Sequence, residues 1–289
     1  MENLRGAALM AVAMLGFAAE DMLIKLSAQH LPTWEIMLII GAGAGAIFAV
    51  LTLGSGRPLW TRAYLSRPVV LRNIGELCGS FSMITALALA PLAVASAILQ
   101  ANPLLVTLAA AVFLKEPVGW RRWSAILVGF VGVLLVIQPG GADFEATALF
   151  AVVTAVALAL RDLATRVIPR EVSSFQVSFV AFALQVPAAL ILSFVTNDPF
   201  VVPGLTDWLR LLGIVALGAG AYHALVSATR VGDVSFVTPF RYTRILFALG
   251  FAFVVFSERP NGLMLLGTAV IVASGIYTLL RERKHRLKA

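Results

Sequence analysis

About 20 consecutive apolar residues make a helix long enough to cross the hydrocarbon core of a bilayer, and this 289-residue chain contains ten such segments in succession. They run over residues 4–28, 34–54, 68–89, 91–114, 121–138, 146–167, 174–196, 208–230, 233–256 and 261–281. Lipid offers no hydrogen bonds, so each segment has to satisfy its own backbone, which predicts an all-α integral membrane protein of ten transmembrane helices. The connections are short, leaving no room for a soluble domain. Apolar residues make up 60% of the chain and charged residues 13%, with a mean hydropathy of +0.93, beyond the range of soluble domains. Gly6 to Ala19 has the length of a signal-peptide core and ends on small residues. Its leading segment is weakly charged, however, and the apolar pattern resumes at Met22, so it reads as the first span.

A net charge of +7 in a soluble chain would suggest nucleic acid as a partner. Here the charge is topological, because basic residues gather in cytoplasmic loops. Arg5, Arg57, Arg62, Arg67, Lys115, Arg121, Arg122, Arg166, Arg170, Arg230 and the tail from Arg281 to Lys288 fall on one side, and the opposite loops hold Arg210 and Arg259 among Asp143, Glu145, Asp198, Asp207 and Glu258. Both termini are therefore expected in the cytoplasm, with lipid and not nucleic acid as the surroundings. Trp34, Trp60, Trp120, Trp123 and Trp208 all sit near span ends, as an interfacial belt requires.

The chain repeats itself. Ala8 to Val12 resembles Ala148 to Val152, Asp21 with Lys25 recurs as Asp162 with Arg166, Trp34-Glu35 as Phe175-Gln176, and Glu116 as Glu258, all at offsets of 140 to 142 residues. Each half, 1–140 and 141–289, carries five spans, an odd number, so the second half enters the membrane inverted relative to the first. Inverted five-helix repeats around a central cavity are an architecture of alternating-access transporters.

These residues resemble the drug/metabolite transporter superfamily, in its ten-helix EamA-type branch. The resemblance rests on Asp21-x-x-x-Lys25, Ala90-Pro91-Leu92-Ala93, Asn102-Pro103, the run from Leu114 through Glu116-Pro117 to Trp123, Pro239 to Thr243, Glu258-Arg259-Pro260, and Gly267 through Ser274-Gly275 to Arg281-Glu282. Among types within the family, a YddG-like amino-acid exporter of the bacterial inner membrane fits best. That implies a small-molecule substrate, aromatic amino acids included, a monomer without cofactors, and a cavity lined mainly by spans 1, 3, 4, 6, 8 and 9. Many relatives carry an arginine in the second span, where this chain has only Glu35.

Glu20, Asp21, Lys25, Arg72, Glu76, Arg161, Asp162, Arg241 and Arg244 lie inside spans, where a charge near the centre costs about 2.5–3.5 kcal/mol. Residues four apart share a helix face, so Asp21 is expected to neutralise Lys25, Arg72 to neutralise Glu76, and Asp162 to neutralise Arg166. Inversion places Asp21/Lys25 toward the periplasm and Asp162/Arg166 toward the cytoplasm, as outer and inner gates. Arg241 and Arg244 have no acid within a turn, so they need Glu20, Glu76 or an anionic ligand. These nine, with Arg244 also beside the substrate, form the gate, coupling and binding candidates. Gln100, Asn102, Phe81, Ser82, Tyr222, His223 and Tyr242, also near mid-membrane, complete the expected pocket with amide donors and aromatic faces. A buried carboxylate among Glu20, Asp21 and Glu76 could couple transport to protons.

An enzyme would need a nucleophile with its base or a metal cluster, and three scattered histidines with one cysteine, Cys78, provide neither. The substrate alternatives are a small amino acid for export, or an anionic or nucleotide-like metabolite for uptake or exchange.

Overall fold

The computed structural model describes residues 2–116, 118–141, 144–169, 171–231 and 234–286, and every regular element in them is helical. Pro117, Asp143, Arg170 and Lys288, used above, lie outside the described residues, as do the side chains of Arg230 and of residues 281–286. α1 (Glu2–Ser27), α2 (Thr33–Gly54) and α3 (Arg67–Leu89) are continuous spans. The fourth span is broken into α4 (Leu92–Leu99) and α5 (Asn102–Phe113). Continuous spans follow in α6 (Trp120–Ile137), α7 (Ala148–Thr165), α8 (Ser174–Thr196) and α9 (Leu205–Val231). The ninth is broken again, into a short α10 (Val234–Val237), a 3-10 turn over Thr238–Tyr242 and α11 (Thr243–Phe256), before α12 (Gly262–Arg286) closes the bundle.

Helix ends follow local chemistry. α8 starts on a reciprocal cap in which the Ser173 hydroxyl accepts from the Gln176 amide and the Gln176 side chain accepts from the Ser173 amide. α6, α8 and α11 end on Gln138, Asn197 and Ser257, each left-handed with φ of 51°, 53° and 54°. Pro103 sits in the first turn of α5 and Pro239 in the 3-10 turn, and neither ring nitrogen can donate a hydrogen bond. The prolines are not aligned in the repeat, yet the breaks are: α5 starts at Asn102 and α11 at Thr243, 141 residues later.

Packing reveals the symmetry. α1 lies along α9, α2 along α8, α3 along α7 and α6 along α12, while α4 and α5 meet α7, and α11 meets both α1 and α4. Exchanging each span for its counterpart five spans away turns the α1–α9 contact into α7–α3 and leaves α2–α8 and α6–α12 unchanged. The contact set is thus that of a pseudo-two-fold axis. Small residues set the closest approaches: a Cβ on Gly267 of α12 would stand 2.6 Å from the Gly132 carbonyl of α6. Gly41 is similarly committed, since its Cβ would stand 2.9 Å from that of Gln185 on α8. The Gly41-x-x-x-Gly45 motif therefore serves packing within the chain.

Among the described residues, nine helical stretches are long and apolar enough to cross a membrane. The expected third span, α3, is as long as the others but is not one of the nine. Its face toward the bundle interior carries Arg72 and Glu76, and that polarity is the first indication of where the working cavity lies.

Candidate substrate pathway

Two groups of charges are held at mid-bundle, each joining side chains of both halves. In the first, α3 presents Arg72 and Glu76 one turn apart and they pair at 2.8 Å. Glu76 also receives Arg161 of α7 at 3.3 Å, and Arg161 grips its neighbour Asp162 at 2.6 Å. Asn102, the first residue of α5, donates its amide to Asp162 at 3.2 Å. In the second, Arg244 in the first turn of α11 donates to Asp21 of α1 at 2.6 and 3.2 Å and lies 5.4 Å above the Phe17 ring. One turn further along α1, Lys25 reaches Glu258 at 3.7 Å and donates to the Ala90 carbonyl at 2.6 Å. Glu258 accepts the Leu92 and Ala93 amides at 2.8 and 3.0 Å, satisfying the open first turn of α4.

The groups are inverted copies. Asp21 with Arg244 corresponds to Asp162 with Asn102, and Lys25 with Glu258 corresponds to Arg166 with Glu116, the latter pair being 3.6 Å apart. Two expected pairings are corrected here. Asp21 does not bond Lys25, and Asp162 does not bond Arg166, because each acid is taken by a side chain from the break in the opposite broken span, and each base extends beyond it to the acid that follows that span. Only Arg72–Glu76 forms as helical spacing predicts. Among the described residues Glu20 and Arg241 form no ion pair or hydrogen bond. Glu20 rests against Gly218 of α9, whose Cβ would stand 2.8 Å from Glu20 Oε1. The Arg241 side chain is accessible and lies within the fields of Asp162, Arg161 and Arg244.

A cavity of about 320 Å³ opens beside the first group, lined by Arg72, Arg161, Asp162, Thr165, Ile168, Ser174, Ser178 and Tyr222. That size suits a small organic metabolite. Tyr222 stands edge-on to Phe48. The other expected pocket residues are distributed differently. Gln100 donates to the Tyr242 carbonyl at 3.2 Å, tying the two broken spans together at their breaks. Tyr242 is buried, and its hydroxyl sits against Gly275 of α12 without a hydrogen-bond partner. Ser82 is buried and Phe81 packs against the main core cluster. His223 is exposed and does not line the cavity. Lys25, at the far end of α1, also lies away from it. Sequence reasoning missed Thr165, Ser174 and Ser178 as cavity wall, which nothing but inversion of the repeat could have located. It had aligned Glu116 with Glu258 without seeing that each awaits the base of the opposite half.

A ten-span inverted repeat with paired charges at mid-bundle beside an open cavity is an architecture that secondary transporters use. The EamA-like transporter family matches residues 4–138 and again 146–280, and the chain belongs to that family. It is 27% identical over 229 residues to an S-adenosylmethionine uptake transporter of Rickettsia bellii, covering 77% of this chain and 76% of that protein. A riboflavin transporter of Vibrio cholerae is 31% identical over 188 residues, 65% of this chain and 62% of its own length. The pseudopaline exporter CntI of Pseudomonas aeruginosa is 27% identical over 290 residues, 98% of this chain and 99% of that protein. A crystal structure at 22% identity superimposes with a TM-score of 0.61 over 94% of this chain and 98% of the other, which shows a common fold. The protein is thus a multi-pass membrane transporter of small molecules, and these relatives are transporters, not enzymes.

Proposed function

We propose that this protein exports a small polar metabolite, with amino acids as the smallest members of its range, across a bacterial inner membrane by alternating access. It works as a monomer with both termini in the cytoplasm, so that the end of the bundle bearing Glu116 and Arg166 faces inward. The observation that carries this reading is that one vestibule is open while its inverted copy is closed. Thr165 on the cavity wall is exposed and Ile168 half-buried. Their copies, Ile24 and Ser27, are 6% and 0% accessible. Beside them Leu31, Ile36 and Met37 pack into the main core cluster. An inward-open site faces the cytosolic pool, and exchange of the two arrangements would carry the substrate outward.

Larger, nucleotide-like substrates form the second reading, favoured by the relatives that carry S-adenosylmethionine and riboflavin. Purified protein in liposomes separates the two. Counterflow is measured with labelled phenylalanine, S-adenosylmethionine, riboflavin and a nucleoside monophosphate. Flux of the first alone supports amino-acid export, flux of the others supports the second reading, and no flux of any refutes both.

A further inference from the structure

Every charge described at mid-bundle is closed by a partner within the protein except two, and these two have opposite signs. Glu20 on α1 and Arg241 in the 3-10 turn make no ion pair or hydrogen bond among the described residues, although every other in-span acid and base in the two groups does. Glu35, at the outer end of α2, is a separate case, accepting the Val201 amide at 3.2 Å through one carboxylate oxygen and lying in the first turn of its own helix, where the helix dipole favours an acid. An uncompensated charge inside a membrane persists when something else supplies its counter-charge.

Neither loner belongs to the duplicated gate. In the repeat Glu20 aligns with Arg161, of opposite sign, and Arg241, three residues before Arg244, with apolar Leu99, three residues before Asn102. They also do not serve each other. Glu20 is adjacent to Asp21 and within the field of Arg244, and Arg241 is one turn from Arg244 and within the field of Asp162. Arg244, itself occupied by Asp21, is the charge both of them feel. Gly218 lets the Glu20 carboxylate lie directly against α9, where a Cβ would stand 2.8 Å from Oε1, Glu20 keeps part of its surface accessible, and Arg241 is exposed.

We infer that Glu20 and Arg241 are the two ends of a zwitterion site, Glu20 receiving the cationic group of the substrate and Arg241 its carboxylate, with the Arg244–Asp21 pair as the fixed spacer between them. A carboxylate matches the planar donor fork of arginine. An ammonium or other cation completes Glu20. The inference rests on the transport reading above and narrows its substrate to molecules bearing both charges, so phosphate esters and uncharged cofactors are excluded.

The test uses purified full-length protein and four probes: L-phenylalanine, S-adenosylmethionine, N-acetylphenylalanine without the ammonium, and phenethylamine without the carboxylate. Affinity is read from the ligand-dependent rise in melting temperature and flux from liposomes. At least one zwitterion is expected to bind wild type more than tenfold tighter than either single-charge probe. Glu20→Gln should reduce that zwitterion to the level of N-acetylphenylalanine, and Arg241→Gln should reduce it to the level of phenethylamine. Both variants should melt, without ligand, at or above wild type, since no internal ion pair is lost. Equal binding of zwitterions and single-charge probes, or variants that weaken all four probes alike, would overturn the inference. Flux of riboflavin or a nucleoside monophosphate with no binding of either zwitterion overturns it while leaving transport intact. Absence of any flux refutes the transport reading itself.

Discussion

The vestibule beside Thr165 and its inverted copy beside Ile24 descend from the same five-helix unit and yet are built of different material. The open wall holds Thr165, Ser174 and Ser178 beside Val172 and Val177, and the closed copy replaces two of the hydroxyls with Ile24 and Met37 and the valines with the larger Leu31 and Ile36. The ion pairs differ in the same sense. Lys25 and Glu258 are each about 15% accessible, and Arg166 and Glu116 are 47% and 49% accessible. Closing the Ile24 side buries apolar surface at about 25 cal/mol per Å². The Thr165 side already buries Val172 and Val177, and what it leaves open includes charges and hydroxyls, so it gains less by closing. The resting state is therefore set by side-chain chemistry laid asymmetrically on a symmetric frame, and ligand energy is needed to leave it.

The sharpest way to break the comparison is at the pair with no ionic counterpart. Arg244→Met leaves Asp21 buried and uncompensated, with an expected loss of about 3–5 kcal/mol in thermal or denaturant unfolding. Adding Asp21→Asn should recover a large part of it, and failure to recover would deny the pair. Next, Ile36→Ala in the closed copy should cost about 2–5 kcal/mol, and Val177→Ala at the aligned position beside the vestibule distinctly less. Equal costs would mean the two sides are packed alike. Accessibility gives a third test. In a Cys78→Ala background, Thr165→Cys should react rapidly with a membrane-impermeant maleimide in detergent and Ile24→Cys slowly, and Glu258→Gln should accelerate only the latter. The smallest effect is expected at Glu116→Gln, under about 1 kcal/mol, because an ion pair half open to solvent contributes little.

The number of spans, their inversion and the positions of the charged residues were legible in the sequence, because apolar length and a 141-residue offset are properties of the chain alone. The partners of those charges were not. Helical spacing is a local rule, and it succeeded only for Arg72–Glu76, where no competitor arrives. Asp21 is claimed by Arg244, 223 residues away, through an approach that exists only once α1 and α11 cross. The broken spans were legible as proline-bearing but not as broken at equivalent points, since Pro103 and Pro239 are out of register while the breaks are not. His223 was placed at mid-membrane by counting along α9, but counting gives depth and not direction.

The polarity of α3 has a consequence for how the chain reaches the membrane at all. A helix carrying Arg72, Asn73 and Glu76 in its first half is a poor substrate for release into lipid alone, although its Arg72–Glu76 pair lowers the charge it presents. Its main packing partner, α7, belongs to the second half, so the surroundings of Glu76 are complete only when the second repeat has been made and supplies Arg161.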